Sequence, residues 1–196
     1  MKTVLRIIVI VVALCLVFIT TRPATFHVER SAVIAAPAAT VFDQVNDFHR
    51  WAAWSPWGRL DPQMKITCDG PASGTGASYR WTGNDKVGEG SMKITSSTPA
   101  SQVVIDLRFI KPFPAANVTT FTFAPEGAGT RVTWAMDGKN NFMAKAMSVF
   151  MNMDKMIGPD FERGLASLKG VAESAPAAAA RAAADSAAAG GGAATK

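Results

Sequence analysis

From Ile7 to Ile19 the chain is an unbroken apolar run, preceded by Lys2 and Arg6. The pattern then changes period. From Phe26 to about Ala35 the pattern alternates, with Phe26, Val28, Arg30, Ala32 and Ile34 on one side, which predicts a strand. Pro37 opens a short helix with Val41, Phe42 and Val45 at helical spacing. Asp47 is placed to cap a second short helix carrying Trp51 and Trp54, ended by Ser55 and Pro56. Six alternating runs follow, over about 64–68, 77–81, 87–96, 102–110, 117–123 and 130–137. The run at Gln102 is the clearest, with Val103, Ile105, Leu107 and Phe109 on one face and Asp106 and Arg108 on the other. Gly, Pro, Asn and Asp clusters separate the runs at spacings expected of antiparallel meanders.

After Asp137 the period becomes helical. Residues 142–157 are rich in Met, Ala and Lys, Gly158-Pro159 is expected to interrupt the helix, and a further stretch to about Ala172 sets Phe161, Leu165 and Leu168 on one face. From Ser174 to Lys196 no apolar side chain exceeds alanine, so residues 174–196 are expected to form a disordered tail. The order is strand, two short helices, about six strands, long helix. That is an α+β fold, a curved antiparallel sheet of 6–7 strands around one C-terminal helix, spanning residues 26–173. A sheet gripping a helix encloses space between them.

The apolar run changes the picture at the N-terminus. A cleaved signal peptide requires a small-residue cleavage site, whereas Thr20, Thr21, Arg22 and Pro23 follow here. A membrane span requires about 20 mostly apolar residues, and residues 4–21 come close if Arg6 snorkels. The expectation is an uncleaved N-terminal transmembrane helix within residues 1–22, at a bacterial inner (cytoplasmic) membrane. Lys2 and Arg6 stay on the cytoplasmic side, and the domain follows on the periplasmic side. Leu14 is too large to precede a lipidated Cys15, which sets a lipoprotein aside.

Charge narrows the choice further. The chain has 196 residues and a formal net charge of +5, but the ends hold the excess and the central segment is nearly balanced. A nucleic-acid partner would need a basic stripe on the folded domain, and none is visible. Cys15 and Cys68 imply no disulfide framework. Two histidines, two separated cysteines and scattered carboxylates form no metal motif, and the glycines at 74 and 76 lack the strand-to-helix setting of a phosphate loop. His49 near Asp47 is the one acid–base candidate, but two residues apart they would not share a helical face, and no nucleophile stands near. No catalytic residue, metal or cofactor is therefore expected.

The strings "IAAPAATVFDQVNDFHRWAAWSPW", "WTGNDKVGEGSMKI", "TRVTWAMDG" and "GPDFERGLASLK", in that order, resemble the START/Bet v 1-like (SRPBCC) superfamily, in particular bacterial polyketide cyclase/dehydrase and lipid-transport-like proteins. The resemblance covers roughly Phe26 to Val171. It implies a helix-grip fold with a deep cavity, but no single activity. The expected function is a membrane-anchored domain binding a lipid or other apolar small molecule. The expected lining is Trp51, Trp54, Trp57, Trp81, Met92, Phe109, Phe121 and Trp134, although tryptophans at helical spacing also read as plain core. Two alternatives stay open: a cyclase or dehydratase-like enzyme, which would need an acid–base pair in the cavity, and a partner-binding domain with a filled cavity.

Overall fold

The computed structural model of the chain describes residues 1–140, 142–149 and 152–190. Helix α1 (Lys2–Thr20) leads to strand β1 (Thr25–Ile34), helix α2 (Ala38–Asn46) and two 3-10 turns, Phe48–Ala53 and Trp57–Arg59. Strands β2 (Lys65–Asp69), β3 (Ser78–Thr82), β4 (Glu89–Thr98), β5 (Gln102–Lys111), β6 (Ala115–Glu126) and β7 (Gly129–Lys139) follow, then α3 (Phe142–Met147) and α4 (Met153–Gly190).

The seven strands form one antiparallel sheet in the order β1-β7-β6-β5-β4-β3-β2. All neighbours but one are consecutive in sequence; the exception is β1, which pairs with β7 from Thr25↔Lys139 to Ile34↔Thr130. Two register shifts in the β4–β5 ladder, at Glu89/Gly90 and Ile94/Ser96, are bulges of the kind that bend a sheet. The concave face carries the alternating residues read from the sequence, with Val103 and Ile105 of β5, Phe121 of β6 and Val132 of β7 fully buried. Helix α4 lies along β1 and closes this face with Phe161, Leu165 and Leu168. Helix α2 adds Val41 and Val45, the first 3-10 turn adds Trp51, and its C-cap adds Trp54.

One expectation about the C-terminal helix is corrected. Gly158-Pro159 does not interrupt it: the break falls earlier, before Met153, and α4 runs through Pro159 in its second turn. Tertiary contacts bridge the missing backbone donor. Arg30 of β1 reaches across Gly158, accepted by Asp154 on one side of the proline (2.7 Å) and by Glu162 on the other (2.7 Å). These ion pairs raise the Arg30 pKa above its ordinary value and lower that of Asp154. Helix α4 continues past Ser174 as far as Gly190, through an alanine-rich segment, alanine being the strongest helix former; the expected tail reaches residues 191–196, which lie outside the described ones.

Helix α1 is long and apolar enough to cross a membrane, and none of its residues is buried against the domain. At 19 residues it spans about 28 Å, close to the hydrocarbon thickness of a bilayer.

Candidate functional site

A cavity of about 170 Å³ lies between the concave face of the sheet and α4. Its floor is built by strand alternation: Tyr79 and Trp81 of β3, Met92 of β4, Leu107 and Phe109 of β5, Met136 and Trp134 of β7. Ile157, Asp160 and Phe161 of α4 form the roof, and Trp51 and Trp57 close one end. The cross-strand neighbour of Trp81 is Gly90. A Cβ there would come within 2.4 Å of the indole, so only glycine lets this ring lie flat against the wall. The Trp81 Nε1–H donates to the Val87 carbonyl at 3.0 Å. The loop bearing Lys86 and Val87 is held in turn by the buried Asp61 carboxylate, which accepts from the backbone N–H of Asn84 at 2.7 Å and of Gln63 at 3.0 Å.

Six of the eight expected lining residues meet at the cavity: Trp51, Trp57, Trp81, Met92, Phe109 and Trp134. Trp54 and Phe121 do not reach it. Both are fully buried behind Trp51 and Trp134, Trp54 at ring-centroid distances of 4.7 Å from Trp51 and 5.8 Å from Trp134. The cause is local geometry. Trp54 is the C-cap of the 3-10 turn that carries Trp51, and the two rings meet at 49° with Trp51 facing the void and Trp54 behind it. Each indole N–H is spent on backbone, Trp51 to Val45 and Trp54 to Gln44. Trp134 stands at the centre of the cluster. It stacks on Phe161 at 4.2 Å and 9°, and lies edge-to-face with Trp54 and Trp57. Its indole N–H is buried and finds no oxygen or nitrogen acceptor among the described residues.

Sequence reasoning missed Tyr79, Met136, Ile157 and Phe161 as lining residues. The signal was present, because Tyr79 alternates with Trp81 and Met136 with Trp134 on strands already read. The polar groups on the wall are Ser55, Tyr79, Lys86, Thr119 and Asp160. Burial pushes the Tyr79 hydroxyl up to about 12, so it stays a neutral donor. Asp160 is paired with Arg163 one turn on.

His49 and Asp47 do meet, contrary to the helical-face argument: Asp47 sits outside the turn as its cap, with φ −120° and ψ 110°. Its carboxylate accepts from the His49 backbone N–H and contacts the His49 ring Nδ1 at 2.8 Å. Partial burial raises the Asp47 pKa, but these hydrogen bonds outweigh it and leave the pKa lowered. Neither residue lines the cavity. Arg108 is exposed and Asp106 lies with it on the convex side, away from the cavity. Among the described residues no group of three metal-ligating side chains occurs.

A second, open cleft of about 960 Å³ adjoins the cavity. Phe109, Met136, Ile157 and Asp160 line both and form the partition. The cleft is bounded by Arg22 and Pro23 behind α1, the start of β1, the β5–β6 turn and α3. Nothing in the sequence marked it, because its walls come together only at one end of the folded sheet.

A curved sheet that grips a C-terminal helix over an aromatic-walled cavity defines a helix-grip protein of the SRPBCC superfamily. The model of the polyketide cyclase / dehydrase and lipid transport family matches residues 25–173, and the chain belongs to that family. Comparison with curated proteins gives no match. Among solved structures, protein SA2116 from Staphylococcus aureus, described as of unknown function, is 12% identical; the alignment covers 80% of this chain and 98% of that one, with TM-score 0.58. Protein CV1439 from Chromobacterium violaceum is 17% identical over 77% and 98%, with TM-score 0.55. The Aha1 dimer from Colwellia psychrerythraea is 14% identical over 76% and 96%, with TM-score 0.54. At these identities the likeness is one of fold.

Proposed function

We propose that this chain is a membrane-anchored binding module that holds one apolar small molecule, or the apolar end of a lipid, between its sheet and α4. The observation that carries the reading is the aromatic- and methionine-walled cavity, with few polar groups on its wall. Its size sets the ligand class. A void of about 150 Å³ lined by aliphatic and aromatic side chains admits a molecule the size of benzene. At about 170 Å³ this cavity accepts one ring or one chain end, and a whole lipid extends past the Phe109–Met136–Ile157 partition into the cleft. Helix α1 is the uncleaved anchor, with Lys2 and Arg6 on the cytoplasmic side and the domain on the other. Binding is favoured over catalysis because the wall's one carboxylate, Asp160, is neutralised by Arg163.

The test is native mass spectrometry of the full-length chain released from detergent micelles, with organic extraction of what it carries. A co-purifying lipid or apolar metabolite is the expected result and names the ligand class. A chain that arrives empty, and that also fails to take up N-phenyl-1-naphthylamine, overturns the binding reading.

A further inference from the structure

The end of the sheet from which α1 emerges is unlike the other end. Helix α1 stops at Thr20 and β1 starts at Thr25. A four-residue connection reaches at most about 14 Å. Even that slack is taken up. The Asn140 backbone N–H donates to the Ala24 carbonyl at 2.8 Å and its side chain to the Pro23 carbonyl at 3.1 Å. Arg22 donates to the Ser148 carbonyl at 3.1 Å, and Lys145 to the Thr20 carbonyl at 3.3 Å. The sheet end and α3 are thus fixed against the end of α1.

This same end carries large apolar side chains that are exposed among the described residues. Phe113 in the β5–β6 turn is 63% exposed, Phe142 at the start of α3 is 53% exposed, and Ile110, Val149 and Met156 flank them. Of these, Phe113 and Met156 line the open cleft. The acidic groups around it are matched, Asp154 by Arg30, Asp137 by His27 and Asp160 by Arg163. Among the described residues Arg22, Lys139 and Lys145 form no ion pair, and Arg22 and Lys139 line the cleft, so its rim presents cations beside the exposed Phe113. That combination suits an anionic lipid surface.

We infer that this end of the sheet docks on the bilayer that α1 spans, with the β5–β6 turn and α3 seated among the headgroups and the cleft opening onto lipid. The inference rests on the reading of α1 as an anchor. It is tested with the full-length chain in nanodiscs of phosphatidylcholine and phosphatidylglycerol, in a Cys15→Ser, Cys68→Ser background. Single nitroxide-labelled cysteines replace Phe113, Phe142, Val11 within α1, and Gly127 at the opposite end of the sheet. Collision with oxygen, which partitions into lipid, is compared with collision with a water-soluble nickel chelate. The expected result is loss of nickel accessibility at 11, 113 and 142, and full accessibility at 127. If 113 and 142 are as open to nickel as 127 while 11 is shielded, the docking inference falls and the anchor stands. If 11 is also open to nickel, the anchor reading fails and the docking falls with it. Shielding at 127 as well would mean the domain lies on its side, which overturns the proposed orientation.

Discussion

Replacing Gly164 by alanine sets two effects of opposite sign against each other. Alanine in a helix interior is favoured over glycine by about 0.5–1 kcal/mol. The new Cβ, however, would lie 2.6 Å from Cζ3 of Trp134 and 3.3 Å from Cδ of Pro56. Trp134 has little room to retreat, since it is stacked on Phe161 and hemmed by Trp54, Trp57 and Phe121. Forcing extra volume into such packing costs about 1–3 kcal/mol. The steric term outweighs or cancels the gain, leaving a net loss of up to about 2.5 kcal/mol and a Tm lower by up to about 10 °C for a chain of this size. Gly170 supplies the control. It lies on the same helix, with nothing within 4 Å of its Cβ position. Gly170→Ala is expected to gain about 0.5–1 kcal/mol, the propensity term alone. The assay is thermal unfolding of the full-length chain in detergent micelles, followed by near-ultraviolet circular dichroism of the tryptophans. A Gly164→Ala protein at least as stable as Gly170→Ala would refute the packing of α4 against Trp134.

Four further expectations follow from the same geometry. Leu107→Trp fills the cavity from β5, so it should abolish uptake of a naphthylamine probe while the chain still melts cooperatively; undiminished uptake would place the probe elsewhere. Trp54→Ala removes a ring packed behind the cavity and should cost about 3–5 kcal/mol in urea unfolding, whereas a loss under about 1 kcal/mol would mean the site is not closed core. The hydrogen bond that the His27 ring donates to Asp137 raises the His27 pKa above the usual 6.5. Its small stabilising contribution is therefore complete below pH 6.5 and fades as pH rises through the folded value, and NMR titration should show the midpoint fall in Asp137→Asn. Arg30→Met unstraps the proline turn, so amide exchange should quicken across residues 153–158 and stay unchanged near Leu168; equal rates would show that Pro159 needs no strap.

The strands were legible because burial on one face of a sheet writes itself as alternation, and Val103, Ile105, Phe121 and Val132 are wholly enclosed on the face the pattern named. What stayed hidden depended on depth and on partners distant in sequence. Spacing put Trp51 and Trp54 on one side but could not tell which lies in front. Pro159 looked like a break because Arg30, which bridges it, lies far back in β1. Alanine after Ser174 lacks the bulk to build a core, yet it is the residue most content in a helix, and the two properties point to different readings of the same composition.

Pairing β1 with β7 also fixes a timetable. During synthesis β1 leaves the ribosome long before its partner, with roughly a hundred residues still to come before β7 is complete. At 5–20 residues per second that is an interval of about 5–20 s. Through it both edges of β1 stand unmatched beside an apolar helix. The meander from β2 to β6 can zip up strand by strand as it appears, while the first strand waits for the last. Contacts of such long sequence separation place folding toward the slow end of the range for single domains. The N-terminal helix is therefore complete long before there is a finished domain behind it.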